Sequence, residues 1–175
     1  SGVERQLTLK IDAWRGGEVL VTSGQKIFPM GAHSAQRVAC MEFFDHFLDM
    51  TFAYRFGPIP CDAVVATLYG EDGCQITNTF HFPLGLNDQR ESDVGLSAIA
   101  VMLDDCTAKV TVRTKRLAQS VHFCVPGYVA EDEYFHLAPE TEMRVTLRAD
   151  QPRSLMGVVR AINSVNEVRL SPPPC

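Results

Sequence analysis

The residue types able to do hydrolytic chemistry are present, but their spacing does not assemble them. Glycoside hydrolysis needs two carboxylates, one to protonate the leaving oxygen and one to act as nucleophile or base. The densest acidic run, Glu131-Asp132-Glu133, follows the Pro126-Gly127-Tyr128 turn in a polar connection. With no apolar run around it, the solvated cluster reads as a turn in which Asp132 accepts from nearby backbone amides. His122 and Cys124 are two apart on an alternating segment and share a face, with nothing to orient the imidazole toward the thiol, so nucleophilic catalysis is not expected. Five histidines occur without a paired metal spacing, and six cysteines (40, 61, 74, 106, 124 and 175) occur without a Cys-x-x-Cys. Neither a bound metal nor any other cofactor is expected, and the cysteines read as free thiols of a reducing, cytoplasmic setting. A phosphate loop, a dinucleotide fingerprint and a Gly-x-Ser-x-Gly elbow are also missing; Gly95-Leu96-Ser97-Ala98-Ile99 lacks the second glycine. No catalytic residue is therefore assigned.

For sugar binding the flat side chains matter. Trp14 follows the Leu7-Leu9-Ile11 alternation just before Gly16-Gly17, where it either caps a core or stacks at an edge. Trp14 and Tyr128 would be the platforms if the chain were a carbohydrate-binding module.

The elements that must position these groups alternate with period two, which marks strands. Leu7, Leu9 and Ile11, then Val19 and Val21 after Gly16-Gly17, form one pair of strands. Ala63–Tyr69 and Cys74–Phe82 form another around the Asp72-Gly73 hairpin signal. Met50, Phe52, Tyr54 and Phe56 predict a further strand, and the Phe43, Phe44, Phe47, Leu48 spacing predicts a short helix or turn within 41–48. Beyond the polar stretch 83–94, the alternation resumes at 109–114, 121–125 and 143–147, then at Val158–Ile162 and Val168–Leu170. Pro-rich 171–175 reads as an extended tail. The expected class is all-β, two consecutive Ig-like antiparallel β-sandwiches at 1–88 and 89–175.

The chain has 175 residues, 46% apolar, with a net charge of −5. At some 80 to 90 residues, each half is near the size where one core is marginal, so the halves are expected to pack on each other or on further domains. No basic run is longer than Lys115-Arg116, which argues against nucleic acid. No long apolar stretch argues for a membrane span, and the first residues lack the pattern of an intact signal peptide.

The segment Ala118-Gln-Ser-Val-His-Phe-Cys-Val-Pro-Gly-Tyr128, then Asp132-Glu-Tyr-Phe-His-Leu-Ala-Pro139 and Arg144-Val-Thr-Leu147, resembles the C-terminal Ig-like domain of bacterial β-mannosidases, multidomain glycoside hydrolases of the β-galactosidase superfamily. Leu7–Trp14, Ala32-His-Ser34 and Asp72–Pro83 resemble the preceding sandwich of the same enzymes. The specific part covers about residues 117 to 147. Glu133 stands where the family usually has Asn, and Glu140 where it has Gly, so those turns are expected to differ locally. The resemblance implies that catalysis belongs to a (β/α)₈ barrel, which alone takes about 250 residues. This chain would then be a non-catalytic accessory region whose partner is the rest of the parent polypeptide, and whose sugar, a terminal β-mannoside or that of a related exo-glycosidase such as a glucosaminidase, is met by the whole enzyme. A carbohydrate-binding or Ig-like interaction module is the alternative. Within the motif, Asp132 is the expected turn acceptor, Tyr134 or Phe135 is expected to be buried, and Leu137 belongs to the core. Tyr134 is the candidate for a hydroxyl that ties the connection to backbone, as in the tyrosine corner.

Overall fold

A computed structural model describes residues 4–55, 57–86 and 90–170. It is all-β, and every strand pairing within its sheets is antiparallel. The chain divides into two compact units, 1–85 and 86–175. The boundary expected at 88/89 falls on residues outside the described ones, as do Phe56 and the tail 171–175.

The first unit is a four-stranded sheet. Strands β1 (Arg5–Arg15), β2 (Val19–Met30), β3 (Ala63–Tyr69) and β4 (Gln75–His81) lie in the order β2-β1-β3-β4. Both hairpin turns use the glycines the sequence supplies, with φ 63 and 72 at Gly16 and Gly17 and φ 73 at Gly73. Leu9, Ile11 and Ala13 point to one face, opposite Lys26, Gly24 and Thr22 on β2 and Leu68, Ala66 and Val64 on β3. That face is covered by the connection between β2 and β3, whose Phe43, Leu48, Met50 and Cys61 join Ile11, Ala13 and Val64 in the core. Gly24 permits the approach, because a Cβ there would lie 2.0 Å from the Phe43 carbonyl oxygen. Burial, with Asp62 and Asp49 adding negative charge, pushes the Cys61 thiol up to about 11. The cysteines at 40, 61, 74, 106 and 124 are free thiols.

The short helix or turn expected within 41–48 is present, and the strand expected after it is not. Within 41–48 the backbone forms a 3₁₀ turn at Cys40–Phe43 and is already extended at Phe44. The strand expected through Met50, Phe52 and Tyr54 is not formed. Asp49 instead captures the donors a strand would use, accepting the Ala53 and Tyr54 amides at 3.0 and 2.9 Å. Phe52 and Arg55 take left-handed φ of 52 and 54, which breaks the alternation of sides.

The second unit is a sandwich. Strands β5 (Ser97–Met102), β6 (Thr107–Arg113), β7 (Ala118–Cys124), β8 (Val129–Ala130), β9 (Phe135–Leu137), β10 (Glu142–Arg148), β11 (Gly157–Arg160) and β12 (Val168–Leu170) form two sheets, β5-β6-β10-β8 and β12-β11-β7-β9. The four-stranded orders match the Ig-type arrangement of two layers around one core. Ala100, Val110, Val112, Val145 and Leu147 come from one sheet, and Ala118, Val121, Leu137, Val159 and Leu170 from the other. β5 is the strand whose side-chain pattern misleads, since its outward Ile99 and Val101 are more apolar than its inward alanines and are 65% and 53% exposed. Among the described residues no helix is long and apolar enough to cross a membrane.

Candidate functional site

The motif of residues 117–147 gathers around an irregularity in β7. Ser120 has φ 46, and the pairing of β7 with β9 shifts between Ala118 (opposite Leu137) and Val121 (opposite Phe135). β9 is only three residues long, so it cannot supply partners for the whole edge of β7. Side chains from 133–136 do so instead. His136 Nδ1 accepts the Ser120 amide at 3.1 Å, and Glu133 Oε2 accepts the Phe123 amide at 3.0 Å. His122 Nδ1 lies 3.1 Å from the Ser120 carbonyl oxygen, a geometry in which that nitrogen carries the proton and donates. Tyr134, itself at φ 59, stacks on His122 with ring centroids 5.2 Å apart and planes 20° apart. The sequence suggests His122 as a base beside Cys124 and the histidines as metal ligands only to set both aside, and it does not place either His122 or His136 at Ser120. The signal for their role was their position on either side of the connection that Ser120 and Tyr134 kink.

The residues singled out from sequence divide between the two units. Asp132 accepts the Glu133 amide at 2.9 Å. Leu137 is 2% exposed within the sandwich core, and Phe135 packs against that core with its ring 6.3 Å from Phe123. Tyr134 requires correction. It is 66% exposed, because its left-handed backbone turns it outward onto His122, and its hydroxyl has no hydrogen-bond partner among the described residues. The anchoring hydroxyl belongs to Tyr128, which donates to the Arg153 carbonyl oxygen at 2.8 Å. Arg153 returns the contact through Nη1 to the Pro126 carbonyl oxygen at 3.3 Å, and lies where a Cβ on Gly127 would be. Gly127, at φ 80, is therefore required twice over, by conformation and by space. Glu140 takes a left-handed φ of 59, a conformation that strains any residue with a Cβ. Trp14 is half-buried on β1 in the first unit, with its indole Nε1 buried and unpartnered.

In this arrangement His136, His122 and Glu133 are bonded to backbone. A general acid in a glycosidase is a carboxyl whose pKa is raised. Among the described residues, the carboxyls that depart from their ordinary values move down. Arg113, bonded through Nε at 2.5 Å, lowers Glu142, and the Cys74 and Cys106 amides lower Asp72 and Asp104. His46 lowers Asp45, and at Asp49 burial pulls upward but the Tyr54 and Ala53 amides outweigh it. Among the described residues no group of three or more His, Cys, Asp or Glu side chains is placed to hold a metal ion.

No protein-family model matches the chain, and no curated protein matches it. Solved structures do match in fold. The exo-chitosanase CsxA of Amycolatopsis orientalis matches over 97% of this chain with a TM-score of 0.59 at 14% identity. The same enzyme, described as an exo-β-D-glucosaminidase in complex with inhibitors, gives a TM-score of 0.58 at 15% identity. A β-D-mannosidase from Dictyoglomus thermophilum matches over 94% of the chain, with a TM-score of 0.59 at 11% identity. The chain spans about a quarter of the length of the exo-chitosanase, 24%, and 19% of the mannosidase. At these identities the likeness is one of fold.

Proposed function

We propose that this chain is a non-catalytic accessory region of an exo-acting glycoside hydrolase of the β-galactosidase superfamily, and that its partner is a catalytic barrel in the same polypeptide. The observation that carries the reading is the fold likeness over 97% of the chain to a stretch making up 24% of an exo-chitosanase. The chemistry agrees with it, since among the described residues the carboxyls whose pKa departs from ordinary are lowered and the motif of 117–147 is spent on holding backbone. In this reading the whole protein removes terminal β-mannosides, as the motif resemblance suggests. A β-glucosaminide is the second reading, favoured by the likeness to the exo-β-D-glucosaminidase. The free thiols fit a reducing, cytoplasmic setting.

Two measurements test the proposal. The isolated chain, incubated with nitrophenyl β-mannoside and nitrophenyl β-glucosaminide, is expected to release nitrophenol at the buffer rate; release that scales with chain concentration overturns the non-catalytic reading. Sequencing the transcript upstream of Ser1 is expected to reveal several hundred codons for alternating strands and helices with a Glu at the end of a barrel strand. A start codon directly ahead of Ser1 overturns the accessory reading.

A further inference from the structure

The sheet of the first unit has a second face, opposite Leu9, Ile11 and Ala13, and strand register fixes what lies on it. Thr8 sits between Ile27 of β2 and Tyr69 of β3, Lys10 between Gln25 and Thr67, and Asp12 between Ser23 and Val65. Asp12 is buried at 7% exposure, accepts the Ser23 hydroxyl at 2.5 Å and pairs with Lys10 Nζ at 2.9 Å. A buried carboxylate with two partners is a rigid anchor, so it fixes the half-exposed ammonium in one place on the face. Lys10 then has two N–H bonds left to offer, since an ammonium carries three.

Next to this anchor a groove of about 910 Å³ is lined by Gln6, Thr8, Lys10, Gln25, Ile27 and Tyr69, and walled by the turn at Gly70–Gly73. The turn is tied to the sheet, because Glu71 Oε1 accepts the Gln6 amide at 2.6 Å. Among the described residues no protein group bonds the side-chain amides of Gln6 and Gln25 or the hydroxyls of Thr8 and Tyr69, which leaves them available to a ligand. Ile27 is 65% exposed in their midst and, with the Tyr69 ring, provides an apolar patch.

The chemistry of the groove selects among ligand classes. A phosphate needs unopposed positive charge, whereas the lysine here is matched by Asp12 and has Glu71 nearby. A purely apolar ligand would strip water from four amide and hydroxyl groups without replacing their hydrogen bonds. A pyranose ring satisfies both surfaces: its C–H face lies on Tyr69 and Ile27, and its rim hydroxyls both donate to and accept from the amides, hydroxyls and ammonium. We infer that this groove binds a short oligosaccharide, a function separate from hydrolysis. Its use in holding a polysaccharide near a catalytic barrel rests on the accessory reading above, but the binding itself does not.

The test uses the whole chain, titrated separately with a mannan-derived and a chitosan-derived oligosaccharide, followed by calorimetry and by amide-resolved NMR. The expected result is that at least one of them shifts the amides of Gln6–Lys10, Gln25–Ile27 and Tyr69–Gly73. Tyr69→Ala and Gln25→Ala are each expected to weaken binding about tenfold, while Tyr134→Ala, in the other unit, leaves it unchanged. Absence of shifts with both sugars at millimolar concentration overturns the inference, as do shifts centred on Phe47–Tyr54 or on Tyr134. Binding unaffected by both substitutions overturns it too. Failure of the accessory reading appears elsewhere, in nitrophenol release or the upstream transcript.

Discussion

Asn163 offers the sharpest quantitative check on how the sandwich is closed. The residue is 3% exposed, and its side chain acts as a surrogate peptide beside the start of β7. Its Oδ1 accepts the Gln119 amide at 2.8 Å while its Nδ2 donates to the Leu117 carbonyl oxygen at 2.9 Å. The Ile162 amide adds a backbone bond to the Gln119 carbonyl oxygen at 2.8 Å, so the turn at 161–164 is stitched to a segment more than forty residues earlier. Asn163→Ala removes both side-chain partners and leaves a buried N–H and a buried C=O unsatisfied. At about 1–3 kcal/mol for each stranded group, the loss is about 3 kcal/mol. For a chain of this size that corresponds to a melting temperature lower by about 6–12 °C. Asn163→Asp separates hydrogen bonding from shape. Its carboxylate keeps the Gln119 bond but presents an oxygen to the Leu117 carbonyl and buries a charge, so at neutral pH it is expected to cost more than alanine does. Burial raises the folded-state pKa of that Asp above its unfolded value of about 3.9. The aspartate variant therefore recovers stability as pH falls through the raised folded pKa toward that value, because the protonated carboxyl can again donate. Urea unfolding followed by circular dichroism at pH 7 and pH 4, for wild type and both variants, measures this. A loss below about 1 kcal/mol for Asn163→Ala, or an aspartate variant whose deficit relative to alanine does not shrink at low pH, refutes the reasoning.

Other substitutions probe the motif and its strain. Tyr128→Phe is expected to cost about 1 kcal/mol through loss of the bond to Arg153, while Tyr134→Phe leaves the melting temperature unchanged because its hydroxyl has no partner among the described residues. Glu140→Gly is expected to raise stability by about 1 kcal/mol in the same melt, since glycine removes the steric penalty at φ 59. Burial lowers the His136 pKa below its ordinary 6.5, and its Nδ1 must be unprotonated to accept the Ser120 amide. The stability this contributes is complete above pH 6.5 and is lost as pH falls through the lower folded value. The wild-type melting temperature should drop more between pH 8 and pH 5 than that of His136→Asn, and equal drops would show that the imidazole is not coupled to folding.

Much of the fold is legible in sequence because period-two alternation and glycine turns are local properties. Leu7–Ile11, Ala63–Tyr69, Lys109–Arg113 and Met143–Leu147 all lie in strands where the pattern puts them, and Gly16-Gly17 and Asp72-Gly73 sit at the turns. The same rule fails at Phe52 and Tyr54, where an aromatic alternation is overridden by the Asp49 carboxylate, and at β5, where Ile99 and Val101 face outward. At Asp49 the deciding partner is a local side-chain acceptor, four and five residues before the amides it takes, and at β5 it is the opposite sheet that covers Ala100; periodicity registers neither.

The sequence by itself determined an all-β chain with two alternating regions and no spacing suited to catalysis. The tertiary structure decided which tyrosine anchors the turn at Pro126-Gly127, that His122 and His136 meet at Ser120, and that Gln6, Thr8, Gln25 and Tyr69 share one groove. Alternation tells which side of its own strand a residue occupies. Only register and backbone kinks, set by hydrogen bonds between segments far apart in the chain, tell which residues on that side become neighbours.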